Sequence, residues 1–198
     1  MPTPLVARFA LDPSLRYLNH GSFGACLREV LAAQDRVRAR MEADPLRFFE
    51  RDAVDLLDVA RTAISTLTNA ERGGTVFVRN ATQAVNAVAQ SFAFTAGDEI
   101  LTTDHAYPAC KNALVHWGGR AGASVVVAKV PFPLARTSQI TEAILAAVTP
   151  RTRLAMIDHV TSPTGLVFPI EEITRELERR GIAVLVDGAH AVGMVPVD

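Results

Sequence analysis

Lysine is scarce in this chain: among 198 residues only Lys111 and Lys129 carry an amino group, and the remaining basic residues are arginines. Any chemistry that needs a lysine amine has just those two positions to use. Cysteine is scarce as well, with Cys26 and Cys110 far apart and neither in a C-x-x-C pair. That excludes a disulfide framework and the usual zinc-finger spacing. No apolar run approaches the length of a membrane span. The N-terminus lacks the basic stretch followed by an apolar core that marks a secretory signal. The formal net charge of −1 gives no general pull toward nucleic acid or an anionic membrane. Neither a P-loop nor a G-x-G-x-x-G turn occurs, which removes the two commonest nucleotide-binding signatures. His20, His105, His159 and His190 include no i, i+4 pair, so a helical zinc motif is not expected. These absences lead to a soluble cytoplasmic protein with no metal, nucleic-acid or membrane partner.

What is present is a large apolar fraction, 49% of the chain, enough for one sizeable core. Residues 1–25 read as irregular, with Pro2, Pro4 and Pro13 ahead of "YLNHGSFGA". Residues 27–43 carry Val30, Leu31, Val37 and Met41 on one helical face, and Pro45 ends that helix. A second helix is expected over 53–67, with Leu56, Leu57, Ala60 and Ile64 inward. From there the period alternates. Strands are predicted at 75–78, 99–103, 124–130, 153–160 and 183–187, separated by helices at 81–92, 108–122, 138–148 and 169–181. The 138–148 helix has a capping residue at its start. Residues 194–197 again look strand-like. Short apolar strands alternating with helices predict an α/β fold, a mostly parallel sheet with helices on both faces.

Polar residues gather where those strands end. The run Ile182–Val186 stops at Asp187, and His190 follows three residues later. Open α/β sheets bind ligands outside the carboxyl ends of their strands. A carboxylate buried there needs a positive partner, and a protonated ring nitrogen of a cofactor is one. In "VRNATQAVN" a strand leads into Asn80, Ala81 and Thr82 at a helix start, where free amides and the helix dipole suit a phosphate. A plain helix cap explains the same residues. In "TTDHAYPAC", Asp104, His105 and Tyr107 offer a ring that could stack on a flat cofactor, or simply a capped loop. In "DHVTSPTG", Asp158, His159, Thr161 and Ser162 offer hydroxyls for a cofactor's polar substituents, although Ser-Pro and Thr-Gly are ordinary turn formers. The loop holding Asn19, His20, Gly21, Ser22 and Gly24 lies near a ligand or subunit interface, or is a surface loop.

Taken together, "YLNHGSFGA", "NATQAVNAV", "ILTTDHAYPAC", "DHVTSPTGLVFPI" and "LVDGAHAVGMVPVD" resemble, in order and spacing, the class V aminotransferase family. These are pyridoxal-phosphate (PLP) enzymes of fold type I. Within them the resemblance is to the isopenicillin N epimerase-like branch, which also holds C–S lyases related to cysteine desulfurases. It covers essentially the whole chain but only about the N-terminal half of the family's length. It implies an N-terminal active-site or interface segment over 1–25 and the first part of a PLP-binding large domain over 26–198.

The resemblance also implies roles. Ala81 and Thr82 match the phosphate-binding turn, with Gln83 contributing backbone. Tyr107 or His105 matches the stacking ring. Thr161 and Ser162 lie near the cofactor's polar edge, Ser162 standing where desulfurases carry asparagine. Asp187 matches the acid that pairs with the pyridine nitrogen, and His190 a partner of the phenolic oxygen. Asn19, His20 and Gly21 face the substrate. The family's cofactor-bonding lysine is expected beyond Asp198, since neither Lys111 nor Lys129 stands at its position. By itself this stretch is therefore expected to be catalytically incompetent. The implied activity of the whole is epimerisation, β-elimination or transamination at the α-carbon of an amino acid or small peptide, in a homodimer. A cysteine desulfurase-like enzyme and a non-catalytic paralogue kept for assembly are the alternatives.

Overall fold

The structure, a computed structural model, describes residues 5–197. Pro2, Pro4 and Asp198 lie outside them. The described residues divide into two units, 5–76 and 77–197.

The first unit is helical. A single turn at Val6–Arg8 and a bridge between Phe9 and Leu27 precede α1, Arg28–Ala43. Pro45 does end α1, and it also opens the next turn. Asp44 accepts a hydrogen bond from the Arg47 amide at 3.1 Å, and Pro45 sits at the first position of α2, Pro45–Arg47, where its missing N–H costs nothing. A π-turn at Phe48–Asp52 then leads into α3, Ala53–Leu67. Phe48 is buried. The apolar faces of the two long helices, however, are largely bare: Val30, Val37, Leu57, Ala60 and Ile64 are all exposed. The inward placement expected for Leu57, Ala60 and Ile64 is thus not found. The helical period is correct, but among the described residues no surface covers that face.

The second unit is a parallel sheet. Helix α4, Ala81–Ser91, precedes strand β1, Glu99–Thr103. Helix α5, Pro108–Arg120, leads to β2, Ser124–Ala128. Helix α6, Ser138–Ala146, leads to β3, Thr152–Asp158. Helix α7, Ile170–Glu178, leads to β4, Ala183–Asp187. The strand order is β2-β1-β3-β4, every pair parallel. The chain leaves β1 in one direction and then crosses back to β3, so the order reverses between β1 and β3. Right-handed crossovers then place α5 on one face and α6 and α7 on the other.

Two hydrophobic clusters confirm that division. Leu101, Ala155 and Ile157 pack with Ile140, Ile144, Ile173 and Leu177 of α6 and α7. Ile100, Leu154 and Met156 pack with Val85 and Ala89 of α4 and with Cys110 and Leu114 of α5. Alternate residues of each strand serve opposite faces, and both faces carry a core, although Val186 on β4 stays exposed.

Three expected local features differ. Residues 75–78 form no strand. A strand needs a pairing partner as well as β-branched residues, and the Thr75 carbonyl accepts from Arg61 Nε instead, while Thr75 Oγ1 bonds Ser65 Oγ at 2.8 Å. Residues 194–197 also stay outside the sheet. A turn folds them back, with the Val195 amide donating to Ala191 O, and Pro196 has no N–H to give a ladder. At the start of α6 no side chain at the cap position bonds the helix. Gln139 closes that end instead, accepting from the amides of Ala135 and Arg136 at 2.8 and 3.0 Å. Among the described residues no helix is long and apolar enough to cross a membrane.

The amino end of β1 holds a buried acid that is fully compensated. Glu99 is 4% exposed, bonds Thr149 Oγ1 at 2.5 Å and receives Arg151 Nε at 2.9 Å. The Thr149 hydroxyl and the Arg151 guanidinium hold its carboxyl below the usual glutamate value of 4.5. Its stabilising contribution is therefore present above that value and is lost as pH falls through the depressed one. Glu99→Gln is expected to cost about 1–3 kcal/mol near neutral pH, with the deficit shrinking below pH 4.5. Urea melts across that range check it; a deficit constant with pH would contradict it.

Candidate functional site

The register of the sheet decides where the carboxylates lie. Met156 stands beside Leu185 and Asp158 beside Asp187 on the paired strands β3 and β4. Met156 and Leu185 belong to the cluster under α4 and α5. Two residues further along, with the period of two, both aspartates face that same side at the carboxyl ends. They emerge at the carboxyl edge where such sheets hold ligands, Asp158 on β3 beside the reversal between β1 and β3 and Asp187 one strand further along.

Both acids are buried, Asp158 to 3% exposure and Asp187 to 7%. Asp187 Oδ1 accepts the Ala189 amide at 3.1 Å, and the Cys110 thiol lies near enough for the Asp187 charge to act on it. The Tyr107 backbone lies beside the Asp158 carboxyl, whose Oδ2 has no hydrogen-bond partner. Among the described residues, no lysine, arginine or histidine of this unit forms an ion pair with either. Burial first, and the Asp187 charge second, push the Asp158 carboxyl from 3.8 up to about 7. Burial, then the same Asp187, push the Cys110 thiol up to about 12, so it stays an inert S–H. Thr82 Oγ1 lies 3.9 Å from that sulfur, which brings the start of α4 to the same cluster.

Helix α4 is capped as the sequence allows. Asn80 Oδ1 accepts the Gln83 amide at 2.8 Å, and Gln83 Oε1 reaches back to the Arg79 amide at 2.8 Å. This reciprocal cap consumes the Gln83 N–H that was expected to face a ligand. The Ala81 and Thr82 amides remain without a helical acceptor, as the first residues of any helix do.

The two aromatic candidates are separated clearly. His105 is 6% exposed; its Nε2 donates to the Val130 carbonyl at 3.1 Å, which leaves Nδ1 to accept from Thr164 Oγ1 at 2.8 Å. Its ring lies near Phe132 and Phe168. Tyr107, at the start of α5, is 43% exposed. Thr161 is also spent within its own turn: Oγ1 bonds Thr164 Oγ1 at 2.8 Å and accepts the Leu166 amide at 2.9 Å. The turn-forming reading of that segment describes Thr161. Ser162 is exposed on the same turn, and His190 is half-buried just past β4. Asn19, His20 and Gly21 belong to the first unit. There Asn19 O accepts the amides of Ser22 and Phe23, and the His20 ring packs edge-on to Tyr17 with centroids 4.9 Å apart.

The sequence pattern marks Asp158 and Cys110 without assigning either to the cofactor. A signal for Asp158 was available, because "AMID" and "VLVD" are apolar runs of the same kind that both end in aspartate. Aligning those ends puts the two acids side by side.

In the protein without a ligand, Asp158 binds a proton more tightly than it does in the unfolded chain. Its contribution to stability is complete below 3.8 and is lost as pH rises to about 7. Asp158→Asn should flatten that loss, leaving the variant more stable than the parent above pH 7 by up to about 4 kcal/mol. Denaturant melts at several pH values measure it; parallel pH profiles would contradict it.

Known proteins place this arrangement in a family. The isopenicillin N epimerase of Streptomyces clavuligerus is 36% identical over 191 residues, which is 96% of this chain and 48% of the epimerase. A probable chloroplastic L-cysteine desulfhydrase of Arabidopsis thaliana is 34% identical over 94% of this chain and 42% of its own length. The chain thus spans about half the length of these relatives. The cystine C–S lyase C-DES, solved with glycine covalently linked to its PLP cofactor, superposes with a TM-score of 0.88 at 24% identity, over 99% of this chain and 52% of C-DES. Aminotransferase class-V is the family that matches residues 17–198, and the chain belongs to it.

Proposed function

We infer that this chain is the N-terminal part of a PLP-dependent enzyme that acts at the α-carbon of an amino acid or small peptide. The observation that carries the reading is the buried Asp187 beside a second buried acid, at the ligand edge of the sheet, with an oxygen of the pair lacking any partner. That donor set suits a single cationic ring nitrogen. PLP, when bound, supplies a protonated pyridine ring that draws off negative charge developing at the substrate's α-carbon.

This chain's residues have distinct tasks in that reading. Asp187 keeps the proton on the ring nitrogen, because an adjacent negative charge favours the cationic form. The Ala189 amide holds the Asp187 carboxylate in one orientation. The free amides of Ala81 and Thr82, with the Thr82 hydroxyl, receive the phosphate. Tyr107, half exposed at the start of α5, offers its ring to the cofactor's face. His105, with both ring nitrogens engaged, ties β1's end to the 161–168 turn, and so fixes the height of Ser162. His190 and Ser162 serve the phenolic oxygen. The relatives perform epimerisation and C–S bond cleavage by name, and both begin by loosening a bond at the α-carbon. Full-length protein is expected to be a homodimer and to bring the cofactor-bonding lysine.

Two outcomes follow for the full-length protein. Asp187→Ala removes a charge-assisted hydrogen bond and should weaken PLP binding roughly 10- to 100-fold, with turnover lost beyond detection. Equilibrium dialysis and amino-acid assays measure these, and unchanged turnover would sink the reading. Tyr107→Ala should weaken PLP binding by about tenfold through lost ring contact, whereas Tyr107→Phe should leave it nearly unchanged. Equal losses in both variants would remove Tyr107 from the stacking role.

A further inference from the structure

The cofactor reading uses one acid, and the structure supplies two. Asp158 and Asp187 are in register on adjacent parallel strands, face the same side of the sheet and are both more than nine-tenths buried. A single ring nitrogen brings a single positive charge. Without that cation, two buried carboxylates cannot both stay ionised except at high cost, and a proton on one of them relieves it. Among the described residues no lysine, arginine or histidine of this unit forms an ion pair with either acid; the histidines next to them along the chain are His159 and His190. From α5 comes the neutral Cys110 thiol, from α4 the Thr82 hydroxyl, and from the turn before α5 the Tyr107 backbone. Asp158 Oδ2 has no partner at all. The lone oxygen of a buried carboxyl next to a second carboxylate is where a proton resides.

We propose that Asp158 is a charge-compensating acid of the cofactor site: it carries a proton in the cofactor-free protein and yields that proton when a cationic ring nitrogen comes to rest beside Asp187. This rests on the PLP reading above and deepens it. The bookkeeping closes in both cases. A ring that arrives protonated sends the Asp158 proton to water. A ring that arrives neutral takes a proton, and Asp158 provides it. The site therefore holds a net charge of −1 before and after binding, counting the two acids and the ring nitrogen alone. Asp158 touches no reacting atom in this account. It positions charge, and it makes cofactor affinity depend on pH through an acid that is not the one bonding the ring. The upward displacement of its carboxyl toward neutrality agrees with that role.

The test is a count of protons. Full-length wild-type protein and Asp158→Asn, both stripped of cofactor, are titrated with PLP by calorimetry in two buffers of different ionisation enthalpy. At about pH 6, below the raised value of Asp158, the wild type should release about one more proton per site than the variant. At about pH 8.5 the difference should vanish, because Asp158 is already ionised. Equal proton release near pH 6 would overturn the inference. A second measurement needs no variant: on loading the wild type, the infrared difference spectrum should lose one protonated-carboxyl band, and its persistence would likewise overturn the inference. Failure of the wild type to bind PLP brings down the reading of the site itself. Binding with matched proton release in both proteins brings down only the role of Asp158.

Discussion

Two like charges held side by side in a dry sheet edge are the constraint on which this molecule turns. Asp158 and Asp187 lie side by side at the ends of β3 and β4 because the strands pair in register and each ends an apolar run in aspartate. Burial leaves little water beside them to screen the repulsion. The Ala189 amide can only ease it. The sheet tolerates such a pair only if protons or a bound cation compensate it, and this need is what the proposed cofactor would meet.

The opposite end of the same sheet shows the ordinary solution. Glu99 is as deeply buried, yet Arg151 and Thr149 satisfy its oxygens within the chain. The two ends consequently respond to pH with opposite sign. Glu99 adds stability as it ionises, while Asp158 loses stability as it ionises. A fold that neutralises one buried acid internally and leaves two others short of a cation has assigned them different work. The first holds strands together. The second pair waits for a partner of defined charge, and the belonging of the chain to the aminotransferase class-V family agrees with a cofactor of that kind.

Much of this was legible in the sequence where local rules act. The alternation of strands and helices, the strand at 99–103, the last strand at 183–187 and the glycine-ended helices follow from period and capping alone. Residues 75–78 show where such rules stop, since β-branched residues propose a strand but only a partner makes one. Leu57, Ala60 and Ile64 make the same point for helices, because an apolar face states that it wants cover without supplying the cover. In the site, Asp187 was legible as an acid after an apolar run. Asp158 ends an identical run, but its importance depends on register, a relation between segments that no single segment carries. His105 and Tyr107 look alike in one dimension, and the contacts that distinguish their surroundings are long-range: the Val130 carbonyl and Thr164, 59 residues away, hold His105.

The account stands most directly on the protons of the acid pair. Calorimetric titration of the cofactor-free full-length protein with PLP, beside Asp158→Asn, reads them at about pH 6. One additional proton released by the wild type, absent from the variant, is the result predicted by two acids answering a single cation. Identical proton release by both would contradict it, and would leave Asp158 a buried acid without a part in the site.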